Sequence, residues 1–431
     1  MTGGDAFADL AVAVRGDDVE RAKAILAANP SLSSRLNEPA PGEGFGGTIL
    51  RHPVEHNQRE MIDLLVRSGA DVNARSHWWA GSFGPIDMAD AALVPFLRER
   101  GAVLTLHAAA RLGMIGDIER ILREDPAAVH GRGGDGQFPL HFAANVEVAN
   151  LLLDAGAEID AIDVDHESTA SQWAIRDRQD VARFLVSRGA KTDILMAAAL
   201  GDIDLVRRNL DAAPASVRTT VSERYFPKQN PRAGGTIYNW TLGRHWSAHR
   251  VARELGHERV LALLLQRSPA ALRLARLCEL NDETGVEALL EERPGLRGAI
   301  SADEARKLVD AAQDANQGAV KLMLRAGWPA DAPGQHGATA LHWAAFHGRV
   351  DIVRELLAHR PPLELHDQDF DGTPLSWALY GSLHSWERRR GDYAATVNAL
   401  LAAGAQPRPV PAEGRASEAA RQALFEAGRR D

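Results

Sequence analysis

Cysteine is almost absent from this sequence, since Cys278 is the only one among 431 residues. A disulfide framework and a zinc site built from several cysteines are therefore excluded, and we expect Cys278 to be a small, buried apolar side chain. Long apolar runs are also missing, because no stretch approaches the roughly 18 residues that a membrane-spanning helix needs. The N-terminus has no basic segment ahead of an apolar one, as a secretory signal would. We expect a cytoplasmic protein with no membrane partner.

Positive charge is in deficit, with 49 Lys and Arg residues against 58 Asp and Glu residues and a net charge of −9. Proteins that bind nucleic acids release counterions from phosphates with Lys and Arg, so we expect no nucleic-acid partner, although a local basic patch stays open. The sequence also lacks a Gly-rich phosphate loop, a nucleotide fingerprint and a Gly-x-Ser-x-Gly elbow. It therefore shows no recognised catalytic motif and predicts no cofactor.

What the sequence does contain is an internal repeat. Residues 338–348 read ATALHWAAFHG and run into the apolar segment 352–357, IVRELL. The start and the turn of this unit, Thr339 and Gly348, are nine positions apart, and the same spacing occurs in two further places, from Thr48 to Asn57 and from Ser247 to Gly256. Thr or Ser at the start can cap a helix, and Gly or Asn at the turn can adopt the left-handed conformation.

This unit resembles the ankyrin repeat, which has a period of about 33 residues and a Thr-Pro-Leu-His-like helix start. The resemblance implies an all-α solenoid of about twelve helix pairs with short β-hairpin fingers. Some fingers should be missing, because Gly101 to Pro126 and Gly189 to Pro214 span only twenty-five residues each. We expect a single array over residues 1–431, closed by a capping helix at 416–427.

Two insertions interrupt the repeat period, at residues 219–240 and 382–392. Extra loops of this size are uncommon in compact arrays and are often functional. The first insertion is rich in aromatic residues, and with the segment that follows it the chain resembles stand-alone bacterial ankyrin-repeat proteins. It could form a lid over the inner face or a structural flap, and both alternatives stay open.

A partner-binding surface follows from the register of the repeat. The first and fourth positions after the histidine of the helix start share one face of the helix, which in ankyrin proteins faces the concave groove. Aromatic residues at such positions are typical anchors of protein interfaces, although they could equally pack on neighbouring helices. The predicted partner-binding residues are Trp78, Trp79, Phe142, Trp173, Trp343, Phe346, His347, Trp377 and Tyr380.

A second hypothesis assigns chemistry to the insertion and the helix start after it. If the segment 219–246 covers the inner helices, it could form a pocket for acid–base catalysis or for a small molecule. His249 occupies the apolar position of the helix start, so it needs a hydrogen-bond partner or a role beneath a site. The candidate residues are Tyr225, Tyr238, Arg244, His245 and His249.

Three motifs look like metal sites but are not expected to bind metal. His245 and His249 are four apart but lie on either side of a helix start. The segment 52–56, HPVEH, matches a zinc-peptidase pattern but belongs to the first helix of a repeat. The segment 367–372 begins like a calcium loop, yet Ala378 stands where the bidentate glutamate is required.

The sequence therefore favours a binding module that recognises a protein or peptide partner through a concave groove and loop tips. An enzyme or a small-molecule binder is the alternative, and whether the chain is an enzyme stays open. The position of the segment 219–246 in the structure would distinguish the two.

Overall fold

The computed structural model describes residues 5–297, 299–406, 409, 411–427 and 429. The chain divides into two compact units, the first formed by Met1–Asn209 and Thr219–Trp246 and the second by Leu210–Arg218 and Ser247–Asp431. The helices that begin in unit 1 are α1 Ala6–Arg15, α2 Val19–Ala28, α3 Arg51–Glu55, α4 Arg59–Arg67, α5 Pro85–Met88, α6 Val94–Arg98, α7 Leu106–Leu112, α8 Ile115–Glu124, α9 Val146–Asp154, α10 Ala170–Ala174, α11 Gln179–Ser187, α12 Ile194–Leu200 and α13 Ile203–Ala212. Unit 2 contains α14 Ala248–Glu254, α15 Glu258–Arg267, α16 Ala270–Glu279, α17 Glu283–Glu292, α18 Ala302–Gln313, α19 Gln317–Arg325, α20 Ala340–Phe346, α21 Val350–Leu357, α22 Pro374–His384, α23 Tyr393–Ala402 and α24 Glu418–Ala427.

Consecutive helices form pairs, as expected for an all-α ankyrin-repeat fold. Helices α1–α8 make four pairs, the 3₁₀ turn Pro139–Phe142 and α9 make one, and α10–α23 make seven, which gives twelve within the described residues. The turn inside a pair requires a positive φ, which glycine and asparagine reach at low cost. The predicted turn residues have this conformation, with φ of 53° at Asn57, 75° at Gly256 and 65° at Gly348.

The helix starts follow the predicted hydroxyl cap in one of three cases. The hydroxyl of Ser247 accepts a hydrogen bond from the Arg250 amide at 3.2 Å. At Thr339 the hydroxyl accepts from no backbone amide of the helix, and the Thr339 amide instead donates to Nδ1 of His342 at 3.1 Å. Thr48 differs, since α3 begins only at Arg51 and the Thr48 carbonyl accepts from the Arg51 amide. The helix α3 is short, and the chain before it forms a turn instead of an extended cap.

The loops between pairs differ from the expected β-hairpin fingers. Within the described residues they contain no strand, only one isolated bridge between Ile162 and Thr169. Aspartate side chains close these loops instead. The carboxylate of Asp163 accepts from the Ser168 amide at 2.7 Å, and that of Asp367 accepts from the Gly372 amide at 2.8 Å. A loop closed by a side chain curls back before a second backbone pair can form.

Two histidines hold neighbouring loops together. The Phe138 amide donates to Nδ1 of His141 at 3.2 Å, and Nε2 of His141 lies 3.0 Å from the Ser168 carbonyl. His342 repeats this arrangement in unit 2, where its Nε2 lies 3.1 Å from the Gly372 carbonyl. Burial lowers the pKa of His141 to about 4, so the ring is neutral and its two nitrogens keep distinct roles.

The helix pairs bury alanine and branched aliphatic side chains between neighbours. Cys278 lies in the core of unit 2, where it is fully buried, and burial raises the pKa of its thiol to about 12. Every helix in the described part of the chain is too short or too polar to cross a bilayer. The first residues of the segment 382–392 continue α22, and the rest forms a loop that leads into α23.

Candidate functional site

Unit 2 contains an aromatic pocket between α20 and α22. Trp343 and Phe346 are three apart on α20, Trp377 and Tyr380 are three apart on α22, and each pair therefore shares one helix face. The helices approach closely at Gly381, where an added Cβ would lie 2.0 Å from the Phe346 carbonyl oxygen. The pocket has a volume of about 500 Å³ and is lined by His336, Trp343, Phe346, Phe370, Gly372, Ser376, Trp377, Tyr380 and Trp386.

The floor of the aromatic pocket consists of buried rings. Trp343 and Trp377 are only 5% and 8% exposed, and their ring centroids lie 5.1 Å apart in an edge-to-face arrangement. Nε1 of Trp377 donates to the Asp367 carboxylate at 2.9 Å. Nε1 of Trp343 is buried and meets no acceptor among the described residues. The floor therefore offers an apolar surface, and the Trp343 N–H stays buried beneath it.

The rim of the pocket is exposed and equally aromatic. Phe370, Tyr380 and Trp386 keep 67%, 58% and 56% of their surface accessible. Large exposed apolar side chains that converge on one cavity mark interaction sites more often than scattered ones do. Covering these rings would remove apolar surface from water, which is the main source of binding free energy at interface anchors.

The sequence reasoning missed five residues of the pocket lining, and three of these are aromatic: His336, Phe370 and Trp386. Trp386 lies in the 382–392 segment. The repeat period predicted an insertion there but did not indicate which surface of the repeats it would cover. Phe370 and His336 lie at loop tips, where His336 has a φ of 62°. The loop tips were predicted as a binding region, but no helical spacing could show which of their side chains face the groove.

His347 supports the pocket from behind instead of facing a partner. It is fully buried, its Nδ1 lies 2.8 Å from the Ser385 hydroxyl, and its ring centroid lies 4.7 Å from that of Trp386. Burial lowers the pKa of His347 to about 4. We predicted that His347 faces the partner because it adjoins Phe346. Successive residues of a helix point in different directions, however, and the His347 side chain points towards the 385–392 loop.

The other predicted partner-binding residues lie in unit 1. Trp78 packs edge-to-face on Phe45 with centroids 4.9 Å apart, and the guanidinium of Arg232 lies 4.6 Å above the ring of Trp79. Both tryptophans are half-buried. Phe142 packs on His107 and Trp173 packs on His166. Each of these four rings therefore has an aromatic or cationic neighbour within unit 1.

The aromatic insertion packs along the loops of unit 1. The Glu167 carboxylate accepts from the amides of Gln229 and Asn230, both at 2.8 Å. The Ser168 hydroxyl accepts from the Ile237 amide at 3.1 Å. Arg176 donates to the Thr241 carbonyl at 3.1 Å. The backbone of the segment is thus held by side chains of the loop between α9 and α10 and by Arg176, which follows α10.

Tyr238 anchors this insertion. Its side chain is completely buried, and its hydroxyl donates to the Asp193 carboxylate at 2.9 Å, which also caps α12 through the Met196 amide. Burial, followed by the charge of Asp193, raises the pKa of Tyr238 well above its ordinary value of 10. A phenol with this environment holds structure together and is poorly suited to proton transfer.

The remaining residues of the acid–base hypothesis differ in exposure and in the unit to which they belong. Arg244 is exposed, while Tyr225 and His245 are half-buried. His249 belongs to unit 2, where it is fully buried with Nε2 2.9 Å from the Ser268 hydroxyl. Burial holds the pKa of His249 well below its ordinary value. Ser268 is therefore the hydrogen-bond partner that a buried histidine at this position needs.

The family comparison agrees with the helix pairs and loop contacts. Residues 106–196 and 308–408 match the family model for ankyrin repeats. The chain contains ankyrin repeats. Both His141 and the α20–α22 pocket lie in matched segments, so the loop-bridging histidines and the groove belong to these repeats. Ankyrin arrays are known for presenting extended concave binding surfaces.

Several curated proteins share a short region with this chain. Palmitoyltransferase Hip14 of Drosophila melanogaster is 36% identical over 95 residues, 22% of this chain and 13% of that protein. Putative palmitoyltransferase ZDHHC13 of Danio rerio is 30% identical over 94 residues, and palmitoyltransferase ZDHHC17 of Homo sapiens is 29% identical over 92 residues; these cover 22% and 21% of this chain. The chain spans about an eighth of the length of these relatives. They are animal proteins and give no support to a bacterial-type assignment.

Proposed function

We propose that this chain is a protein-binding module and that the aromatic pocket of unit 2 receives an apolar segment of a partner polypeptide. The observation that carries the proposal is the pairing of a buried floor with an exposed rim. Trp343 and Trp377 form a rigid base, and Phe370, Tyr380 and Trp386 stand around it with more than half of their surface free.

The polar groups of the pocket favour a peptide over a fully apolar ligand. Ser376 lies in the lining and adds a polar side chain to the aromatic rings. At one side, Nδ1 of His336 lies 2.7 Å from the Asp369 carboxylate, which adds a polar edge. A mainly aromatic pocket with a few placed polar groups suits an extended segment that inserts a bulky side chain.

Rigid aromatic rings also limit the entropic cost of binding. Trp and Tyr have only two side-chain torsions, so they lose little freedom when a partner covers them. His347 and Ser385 hold the loop that carries Trp386, and this pre-organises the rim. The acid–base alternative has weaker support, because the Tyr238 hydroxyl is engaged with Asp193 in the interior.

Selection from a displayed peptide library against the full chain would test this function. Selected peptides should carry large apolar side chains and should bind a Tyr380→Ser, Trp386→Ser double variant at least about tenfold more weakly than the original chain. Both side chains are exposed, so the variant should keep its thermal unfolding midpoint. Trp240→Ser provides the control, because Trp240 is 57% exposed but lies in unit 1. Equal affinity for the original chain and the double variant would refute the proposal.

A further inference from the structure

Three metal-ligating side chains meet at the loop tips of unit 1. Asp135, Asp165 and His166, here called the tip cluster, each offer one ligand atom, and these atoms all lie within 4.8 Å of one another. The two loops that carry them are joined, because the Val164 and Asp165 amides donate to the Asp135 carbonyl at 2.9 and 3.1 Å. The backbone therefore fixes the separation of the three side chains.

His166 is oriented as a ligand by a contact outside the cluster. Its Nδ1 lies 3.1 Å from the Gly235 carbonyl, which can only accept, so Nδ1 carries the proton. In the neutral ring Nε2 then presents a lone pair, and it lies 3.6 Å from the Asp165 carboxylate. Metal-binding histidines commonly have this arrangement, with the second ring nitrogen on a carbonyl. Trp173 and Trp240 enclose the ring at centroid distances of 5.1 and 4.7 Å.

The carboxylates of the tip cluster lack a matching cation. Oδ1 of Asp135 is buried and meets no donor at hydrogen-bond distance within the described residues, and the indole N–H of its neighbour Trp78 is likewise unpaired there. The Asp165 and His166 side chains are only 10% and 11% exposed. Two facing carboxylates in so little water require a proton or a cation between them.

Unit 2 has a histidine–aspartate pair at two of the same positions. Asp135 and His336 both stand six residues before the loop-bridging histidine, and Asp165 and Asp369 both stand four residues before the helix cap. The loop backbones also correspond, since the Gln368 amide donates to the His336 carbonyl at 2.8 Å. In unit 2 a histidine thus faces the aspartate, with Nδ1 2.7 Å from the carboxylate.

Unit 1 has a different set of side chains at these positions. The histidine that faces the aspartate becomes Asp135, and the position of Phe370, three residues before the cap, becomes His166. The exchange turns a base–carboxylate pair into two carboxylates and one imidazole. The aspartate of unit 1 therefore lacks the histidine that bonds the aspartate of unit 2. In its place, three ligand atoms converge.

We infer that Asp135, Asp165 and His166 bind a divalent transition-metal cation of the Zn²⁺ type through one carboxylate oxygen each and through Nε2. Two carboxylates match the charge of a divalent ion, and an imidazole ligand favours Zn²⁺ or its neighbours over Mg²⁺ and Ca²⁺. Bonds of about 2.0–2.2 Å would require the ligand atoms to move together by a small side-chain rotation. Three protein ligands leave a further position for water or a partner group.

This inference does not depend on the proposed peptide site, which lies in the other unit. It also differs from the expectation, drawn from the sequence, that the chain binds no metal. The site could not be found in the sequence because its ligands are far apart along the chain. Asp135 is thirty residues from Asp165, so no short motif joins the ligands, and only the stacking of two repeats brings them together.

Titration of the EDTA-treated, dialysed full chain with Co²⁺ would test the site, since Co²⁺ reports its ligands through visible absorption. We expect one saturable equivalent, displaced by Zn²⁺, and a rise in the thermal unfolding midpoint with added Zn²⁺. Asp135→Asn and His166→Phe should each weaken binding by about 100-fold or more. Asp369→Asn in unit 2 is the matched control and should bind like the original chain.

The variants remain informative because they are expected to fold. Asp135→Asn removes one of two facing carboxylates, so its unfolding midpoint in EDTA should equal or exceed that of the original chain. His166→Phe introduces the residue that unit 2 carries at this position. Absence of a saturable Co²⁺ or Zn²⁺ equivalent would overturn the inference and leave a shared proton as the balancing charge. Binding by Asp135→Asn and His166→Phe with unchanged affinity would overturn it as well.

Discussion

Trp343 and Trp377 meet edge-to-face on adjacent helices, with their ring centroids 5.1 Å apart. They differ in one respect, because the indole N–H of Trp377 is bonded to Asp367 while that of Trp343 has no acceptor within the described residues. The same type of residue therefore contributes a hydrogen bond to the fold at one position and only its apolar ring at the other.

This difference predicts unequal effects of the same substitution. Trp377→Phe removes a hydrogen bond to a buried carboxylate and should lower the free energy of unfolding by about 1–3 kcal/mol beyond the loss of packing. Trp343→Phe loses only packing and should cost about 1 kcal/mol. Urea-induced unfolding of both variants measures the two values. Equal losses would show that the Asp367 bond contributes nothing.

The close approach of α20 and α22 predicts a strong effect of a single methyl group. Gly381→Ala would place a Cβ 2.0 Å from the Phe346 carbonyl oxygen, so the helices must separate, and we expect a loss of about 2 kcal/mol together with weaker peptide binding. Gly116→Ala is the control, since that position in α8 has open space and alanine favours helices. Thermal unfolding of both variants gives the comparison. A Gly381→Ala protein as stable as the Gly116→Ala protein would contradict this packing.

The buried anchor of the insertion predicts a stability effect. Tyr238→Phe keeps the ring but leaves the Asp193 carboxylate without its phenol donor, and it should lower the free energy of unfolding by about 1–3 kcal/mol. Denaturant unfolding monitored by tryptophan fluorescence measures the loss. An unchanged stability would free the hydroxyl for another role and would revive the acid–base hypothesis.

The loop-bridging histidines predict that acid destabilises the protein. The pKa of His141 falls from 6.5 to about 4 in the folded chain because the ring is buried. A base whose pKa is lower in the folded state binds protons more readily when unfolded, so its contribution is complete above pH 6.5 and declines as the pH falls towards 4. At pH 5 the loss from His141 alone should be about 2 kcal/mol.

Unfolding in urea at pH 7.5 and pH 5 would measure this dependence. His141→Asn should be less stable at pH 7.5 but should lose about 2 kcal/mol less than the original chain between the two pH values. Parallel losses in both proteins would mean that His141 does not contribute to the acid sensitivity.

The helices and half of the pocket could be predicted from the sequence because both depend on local spacing. The segment around Trp343 reads as a capped helix followed by a left-handed turn, and residues three apart on a helix share a face. Trp343, Phe346, Trp377 and Tyr380 therefore appear together in prediction and in structure. The twelve helix pairs follow from the same periodicity.

The loop tips could not be predicted, because their geometry depends on contacts between repeats. The carboxylates of Asp163 and Asp367 curl the loops that a hairpin pattern would extend. Trp386 reaches the pocket through a loop held by His347 and Ser385, which are thirty-eight residues apart. Side chains on such loops are placed by neighbouring repeats, and helical periodicity gives no information about them.

The buried thiol has a practical consequence. With a pKa of about 12 and no exposed surface, Cys278 is protonated and shielded at neutral pH, so alkylating reagents should leave the folded chain unmodified. A cysteine introduced at Tyr380 would then be the sole reactive position. A fluorophore attached there would report directly on whatever enters the groove, without any need to remove the native sulfur.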